Sequence, residues 1–300
     1  MLRTAAAFVL GICLAAAQIE YRAVTDRVPR PKPPLDRIGK AGSIVRDPVY
    51  STRILRVTDG RTNPEGAPCV TAAAAFQNTW NADSTRFVAM CGTAIAFRFD
   101  PASLRARISD DMLDLRETPA FSFNDPDLLY GIGASPGTSR SIIEYDAKRR
   151  KYRTLLDLER VVTDFEGIPG LLTVSANDRM AVAFGGIQDT WRYVLVFDKR
   201  TGGTTLLDTR AAAIDGKPAG FPMGFGVHLV NIDKSGRYVV ISKGQNSKPP
   251  NLLVWDTQNN EFAEVAPEGA GHYATGWGKL VNNSGTFPHW AQWMLRPLAP

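Results

Sequence analysis

This sequence predicts an all-β fold of repeated four-stranded antiparallel sheets, on three observations. Four apolar strands each close on an Asp: Phe97-Arg98-Phe99-Asp100, Ile143-Glu144-Tyr145-Asp146, Leu195-Val196-Phe197-Asp198 and Leu253-Val254-Trp255-Asp256. The aspartates lie 46, 52 and 58 positions apart, close to the period of roughly 40–50 residues expected of β-propeller blades. Each closing strand follows a polar turn and another apolar strand. Finally, 26 Gly and 20 Pro in 300 residues point to many turns rather than long helices. The fold class predicted is therefore a β-propeller of four-stranded antiparallel blades.

The chain opens on a different pattern. Arg3 supplies a positive start, an apolar run follows to Leu14, and Ala15-Ala16-Ala17 precedes Gln18 as a small-residue cleavage site, the composition of a secretory signal peptide. The 14 residues from Thr4 to Ala17, at ~1.5 Å each in a helix, fall short of the ~30 Å hydrocarbon core. Residues 1–17 are thus expected to be removed, leaving no stable membrane span and a secreted or periplasmic chain. Residues 18–45 form a Pro-rich leader around Val28-Pro29-Arg30-Pro31-Lys32-Pro33-Pro34-Leu35, whose prolines favour an extended spacer. The propeller is expected over 46–300.

Tyr50 to Val57 reads as a strand with no partner nearby, and is expected to close the ring as the outer strand of the last blade. Cys69 and Cys91 are a disulfide candidate in an oxidising compartment. A hairpin centred near Asp83 carries Cys69 well beyond Cys91, so a bridge requires the intervening loop to fold back.

The blade units then follow in order. Turns at Trp80–Arg86, Ser122–Asp127, Ser175–Arg179 and Asp233–Arg237 each precede a second strand, beginning at Phe87, Leu128, Met180 and Tyr238. Asp, Asn and Gly recur there because tight turns need left-handed backbone or a side chain that bonds a neighbouring amide. Gly203–Leu207 and Glu261–Val265 are expected as outer strands. A fifth, weaker unit has its polar turn at Val281-Asn282-Asn283-Ser284-Gly285 and a later strand at Trp290–Leu295. At least five units are visible, making either a compact five-bladed ring or a piece of a larger one.

Three segments resemble a group of secreted bacterial propeller proteins of mostly unknown function: Arg53–Asp59, Gln77–Phe87, and His272–Gly278 with Gln292-Trp293. More distantly, the chain is similar to oligogalacturonate lyases, propellers that hold a divalent metal with histidines and a glutamine. In that family the Gln precedes a closely spaced His pair, whereas here His289 precedes Gln292 and no His follows. The resemblance implies the propeller fold.

Chemistry is sparser than architecture. In a meander, the segment leading into the inner strand and the loop joining the second and third strands emerge at one end. His228, His272 and His289 are therefore expected at one mouth of the channel, with Asp164, Glu166, Gln188, Asp189, Gln245 and Asn246 on the same rim. Three imidazoles suit a divalent metal with an open position for water; separate hydrogen-bonded side chains are the other reading, and no cofactor is then needed. Trp191 and Trp277 lie near loops, where an indole makes a platform for a sugar ring, or they wedge adjacent blades together. Trp255 and Trp293, on third strands, are expected as wedges.

Gly133-Ala134-Ser135-Pro136-Gly137 has nucleophile-elbow spacing, but an elbow needs an oxyanion-hole N–H from the residue after Ser, and Pro136 has none. The net charge of +5 is scattered, unlike the clustered cations of a nucleic-acid binder. The expected function is a binding scaffold for a carbohydrate or protein partner, with His228, His272, His289, Asp189, Gln245, Trp191 and Trp277 as ligand-binding candidates. The alternative is a metal-dependent, lyase-like polysaccharide-degrading enzyme with the three histidines as ligands.

Overall fold

The computed structural model describes residues 28–29, 39–48, 50–63, 66, 69–71, 78–116, 119–170, 172–221, 224–244, 252–265, 273–275, 279–283 and 293–297. Apart from one 3-10 turn at Leu158–Arg160, every regular element among them is a β-strand. The first sheet orders Val70–Thr71, Arg86–Cys91, Thr93–Asp100 and Arg105–Leu113; the second Ala120–Phe121, Leu128–Ile132, Ser141–Asp146 and Lys151–Asp157. The third runs Thr173–Val174, Arg179–Phe184, Tyr193–Asp198 and Thr204–Asp208, extended by two short strands at Ala213–Ile214 and Lys217–Pro218. The fourth holds Val227–Ile232, Tyr238–Lys243, Leu252–Asp256 and Glu261–Val265; the fifth Tyr273–Thr275, Lys279–Asn283 and Trp293–Pro297. Within these five sheets every strand pairs antiparallel with its neighbour in the chain, as a meander.

All four Asp-closed strands end on the aspartate that marked them in the sequence, and the hydrogen bonds explain why Asp stands there. Oδ1 of Asp100, Asp146, Asp198 and Asp256 accepts from the amide two residues on, at Ala102, Lys148, Arg200 and Gln258, over 2.9–3.0 Å. Such Asx turns start the hairpin to the outer strand. Four residues after each Asp the backbone turns left-handed, at Leu104, Arg150, Gly202 and Asn260 (φ between 52° and 72°). Glycine fills this position only in the third sheet.

Apolar residues of consecutive sheets interlock. Val88, Met90 and Ala96 pack with Phe121, Leu129 and Tyr145 between the first and second sheets; Tyr130 and Ile142 pack with Met180 and Phe197 between the second and third. Between the third and fourth, Val194 and Val196 meet Val230, Ile241 and Trp255. Trp255 is fully buried, a wedge as expected.

The polar turns stitch the same seams. Asn81 Nδ2 donates to Pro126 O at 2.9 Å, Asn124 Nδ2 to Ala176 O at 2.6 Å, and Asn177 Nδ2 to Ser235 O at 3.3 Å. Turn-forming asparagines thus also join the first four sheets, each to the next.

Two expectations are corrected. Arg53–Leu55 does not close a ring; it pairs with Ile44–Arg46 in a separate two-stranded sheet, Ile44 opposite Leu55. Tyr50 N donates to Asp47 Oδ1 and Asp47 N to Thr52 O, so a short local hairpin supplies the partner with less loop-closure entropy than a distant strand would cost. Among the described residues no pairing links the last sheet to the first. In the fifth unit, Val281-Asn282-Asn283 lies within a strand, with Asn282 opposite both Tyr273 and Met294; cross-strand pairing overrides the turn tendency of Asn.

Cys69 and Cys91 are joined by a disulfide. Near the turn, Trp80 faces Phe87. Farther along, Val70 faces Met90, a register shifted by the residues between, which brings Cys69 opposite Cys91.

Asp256 closes the fourth sheet's third strand beneath Arg237, whose Nε and Nη2 reach its carboxylate at 2.6–3.1 Å. These hydrogen bonds outweigh burial and hold the Asp256 carboxyl below its ordinary value of 3.8. A folded value below the unfolded one contributes stability above the unfolded pKa, lost as pH falls through the folded value. In urea unfolding followed from pH 7 to pH 2, Asp256→Asn should therefore be less stable than wild type at pH 7 and lose less stability on acidification; parallel acid limbs would contradict this assignment.

Candidate functional site

The described residues place one expected pair together at the seam between the third and fourth sheets. The loop joining Arg179–Phe184 to Tyr193–Asp198 begins with Gly185 and Gly186, both at positive φ. A Cβ at Gly185 would strike the Tyr193 ring. Thr190 N donates to Ile187 O at 2.9 Å, tightening the loop, and Asp189 sits at its tip with φ 71°. A Cβ on either Gly226 or Gly244 would fall on the Asp189 carbonyl. These glycines allow the third sheet's loop to lie against the fourth sheet's inner and second strands.

Across this contact His228 Nδ1 lies 2.8 Å from Asp189 Oδ1, the two side chains 23% and 32% exposed. Asp189 occupies the ring's Nδ1, which leaves Nε2 as the nitrogen available to a ligand or a proton. Lys243, opposite Val227 in register, is buried, its ammonium 5.1 Å from the centroid of the Phe225 ring. Sequence reading missed it. Its only signal was a lysine ending an otherwise apolar strand, just before a glycine.

On the third sheet's side of the rim, Arg192 Nη1 reaches Asp164 Oδ2 at 2.7 Å, while Nε and Nη2 grip Asp208 at 2.5–3.0 Å. Tyr193 OH donates to Asp164 Oδ1 at 2.7 Å. That hydrogen bond, with the Arg192 charge, keeps the Asp164 carboxyl below its usual range. Glu166 and Gln188 are exposed beside Ile168 and Ile187, 48% and 65% exposed. The rim thus combines fixed charges with apolar contact area, which suits recognition of a polar partner.

Of the two readings of Trp191, sugar platform or wedge, its surroundings match the wedge. It is 6% exposed, its indole Nε1 donates to Ile168 O at 2.9 Å, and its ring lies against Gly170, where any Cβ would collide. A buried indole with a satisfied N–H has no face to offer, so Trp191 wedges the seam instead. His272, His289, Gln245, Asn246 and Trp277 lie outside the described residues, as do the side chains of Trp293 and its strand. Among the described residues, no group of three His, Cys, Asp or Glu side chains is placed to hold a metal ion.

Ser135 sits in a turn between the second sheet's second and third strands, its hydroxyl and amide both bonded to Asp114 Oδ1 at 2.7 Å. That carboxylate braces a turn.

No protein-family model matches the chain, and no curated protein matches it. Solved structures do. An oligogalacturonate lyase in complex with manganese superposes with a TM-score of 0.53 at 11% identity, covering 80% of this chain and 64% of that one. The oligogalacturonate lyase of Vibrio parahaemolyticus gives 0.50 at 10% identity, covering 76% and 60%. This chain therefore spans less than two thirds of the length of either. Among the described residues no helix is long and apolar enough to cross a membrane. At such low identity the likeness concerns architecture, and together with the meander sheets it shows that the chain has a β-propeller fold.

Proposed function

We propose that this chain is an exported propeller that binds a carbohydrate or protein partner at the mouth formed by the third and fourth sheets. The observation that carries this reading is the Asp189–His228 pair: two partly exposed polar side chains from different sheets, 2.8 Å apart. Carboxylate and imidazole orient one another, and the exposed Glu166, Gln188, Ile168 and Ile187 surround them with polar and apolar contact area. Ligand sites commonly combine a few fixed polar groups with apolar lining. Export rests on residues 1–17, read as a signal peptide.

A glycan array and a partner-capture screen with exported protein, each comparing wild type with His228→Ala, test the reading. The variant should bind the identified ligand at least about tenfold more weakly, equivalent to about 1.4 kcal/mol, with unchanged thermal stability. Equal affinities would remove His228 from the binding surface.

The second reading, a metal-dependent lyase-like enzyme, is favoured by the manganese complex among the similar structures. The described residues fit it incompletely: His228 and Asp189 are bonded to each other, short of the three protein ligands typical of catalytic zinc sites. Elemental analysis of purified protein separates the two readings, since the enzyme requires a retained divalent ion and the scaffold does not.

A further inference from the structure

The first sheet carries a row of like charges that its own folding does not explain. Arg86 faces Arg98, and Arg98 faces Arg107, across three adjacent strands. Like charges directly opposite one another destabilise a sheet. Arg105, opposite Asp100 in the same sheet, adds a fourth guanidinium. Together with Thr85 and Ser103 these arginines line a cleft of about 730 Å³, within the range of small-molecule sites.

The charges in the cleft are only partly neutralised. Arg98, Arg105 and Arg107 are exposed, and among the described residues Arg98 and Arg107 form no ion pair. Arg86 Nη2 reaches Asp127 at 3.1 Å, while its Nη1 is buried with no hydrogen-bond partner. Asp100 is engaged by Ser103 Oγ and by the amide of Ala102. Four guanidinium groups thus line the cleft with one carboxylate, Asp100, while Asp127 and Asp83 lie beside Arg86 alone, which leaves a local excess of positive charge.

We propose that this cleft binds a tetrahedral dianion, a phosphate or sulfate group. Guanidinium forks match the geometry of such oxyanions, which accept paired N–H donors. The dianion offsets the excess positive charge. The group comes either as a free ion or as an ester on a larger molecule. By meander topology, the Asp100–Arg105 hairpin emerges at the end of the sheet opposite the Asp189–His228 mouth, so this site stands independently of the proposed scaffold function.

Calorimetric titration of the full chain at low ionic strength tests it, with inorganic phosphate, inorganic sulfate and glucose 6-phosphate as separate ligands and acetate as the monoanion control. At least one of the three dianions should bind with a Kd of about 1 mM or tighter and acetate should not. Tighter binding of the sugar phosphate than of phosphate marks the ester as the source; equal binding marks the free ion. In Arg98→Gln/Arg107→Gln, dianion binding should weaken at least tenfold. Without ligand, the same variant should melt at a temperature equal to or above that of wild type, because like-charge repulsion is relieved. Absence of saturable binding by all three dianions, equal binding of acetate, or undiminished binding in a folded variant would each overturn the proposal.

Discussion

Trp191→Ala is expected to destabilise the chain by about 3–5 kcal/mol, the usual cost of removing a buried Trp side chain, measured by urea unfolding. The indole lies in the cluster between the third and fourth sheets with Phe225, Val227, Val230 and Ile241, and is 6% exposed. Its removal leaves a cavity that the surrounding strands cannot readily fill, because the adjacent Gly170 contributes no side chain. It also strips Ile168 O of its donor. Trp191→Phe should recover most of the packing while still losing that hydrogen bond, a difference of about 1 kcal/mol. A loss below about 1 kcal/mol for the Ala variant, typical of surface substitutions, would mean that the ring faces solvent and would restore it as a ligand platform.

The features legible in the sequence were those set by local chemistry. An apolar run closed by Asp identified all four complete third strands because the same residue both ends the strand and caps its turn. That Asp189 and His228 emerge at the same end of neighbouring sheets followed from meander direction alone. What escaped depended on contacts distant in sequence. Trp191 resembles any loop aromatic until Gly170 and Ile168, on a separate loop, are seen to receive it. Lys243 gains meaning only from Phe225 beside it. Tyr50–Val57 looked unpaired because its partner, Ile44–Arg46, is only three residues long and lay partly within the segment read as leader. The arginine row is invisible without the register: 86, 98 and 107 share no sequence period, and only the pairing of three strands aligns them.

Replacing both Cys69 and Cys91 by Ser should cost about 3 kcal/mol, the chain-entropy expectation for a loop of this length, here 22 residues. Closing that loop restricts the unfolded chain, and the bond also anchors an otherwise weakly held strand. Val70–Thr71 pairs with its neighbour through only two positions, against Met90 and Ala89. Cys91 is fully buried among Phe87, Ala89, Ile95 and Phe97, so serine there also places a hydroxyl in an apolar cluster. The cost therefore has two parts, separable by chemistry. Reducing agent breaks the bond but keeps the sulfur, and should lower the melting temperature of wild type by roughly 5–10 °C at the usual conversion for chains of this size, without affecting the double Ser variant. Exported protein cleaved before Gln18 should contain no free thiol, because Cys13 leaves with residues 1–17 and the remaining two are paired. A titratable thiol, or a melting temperature indifferent to reductant, would show the bridge to be absent and the inner strand of the first sheet to be held by packing alone.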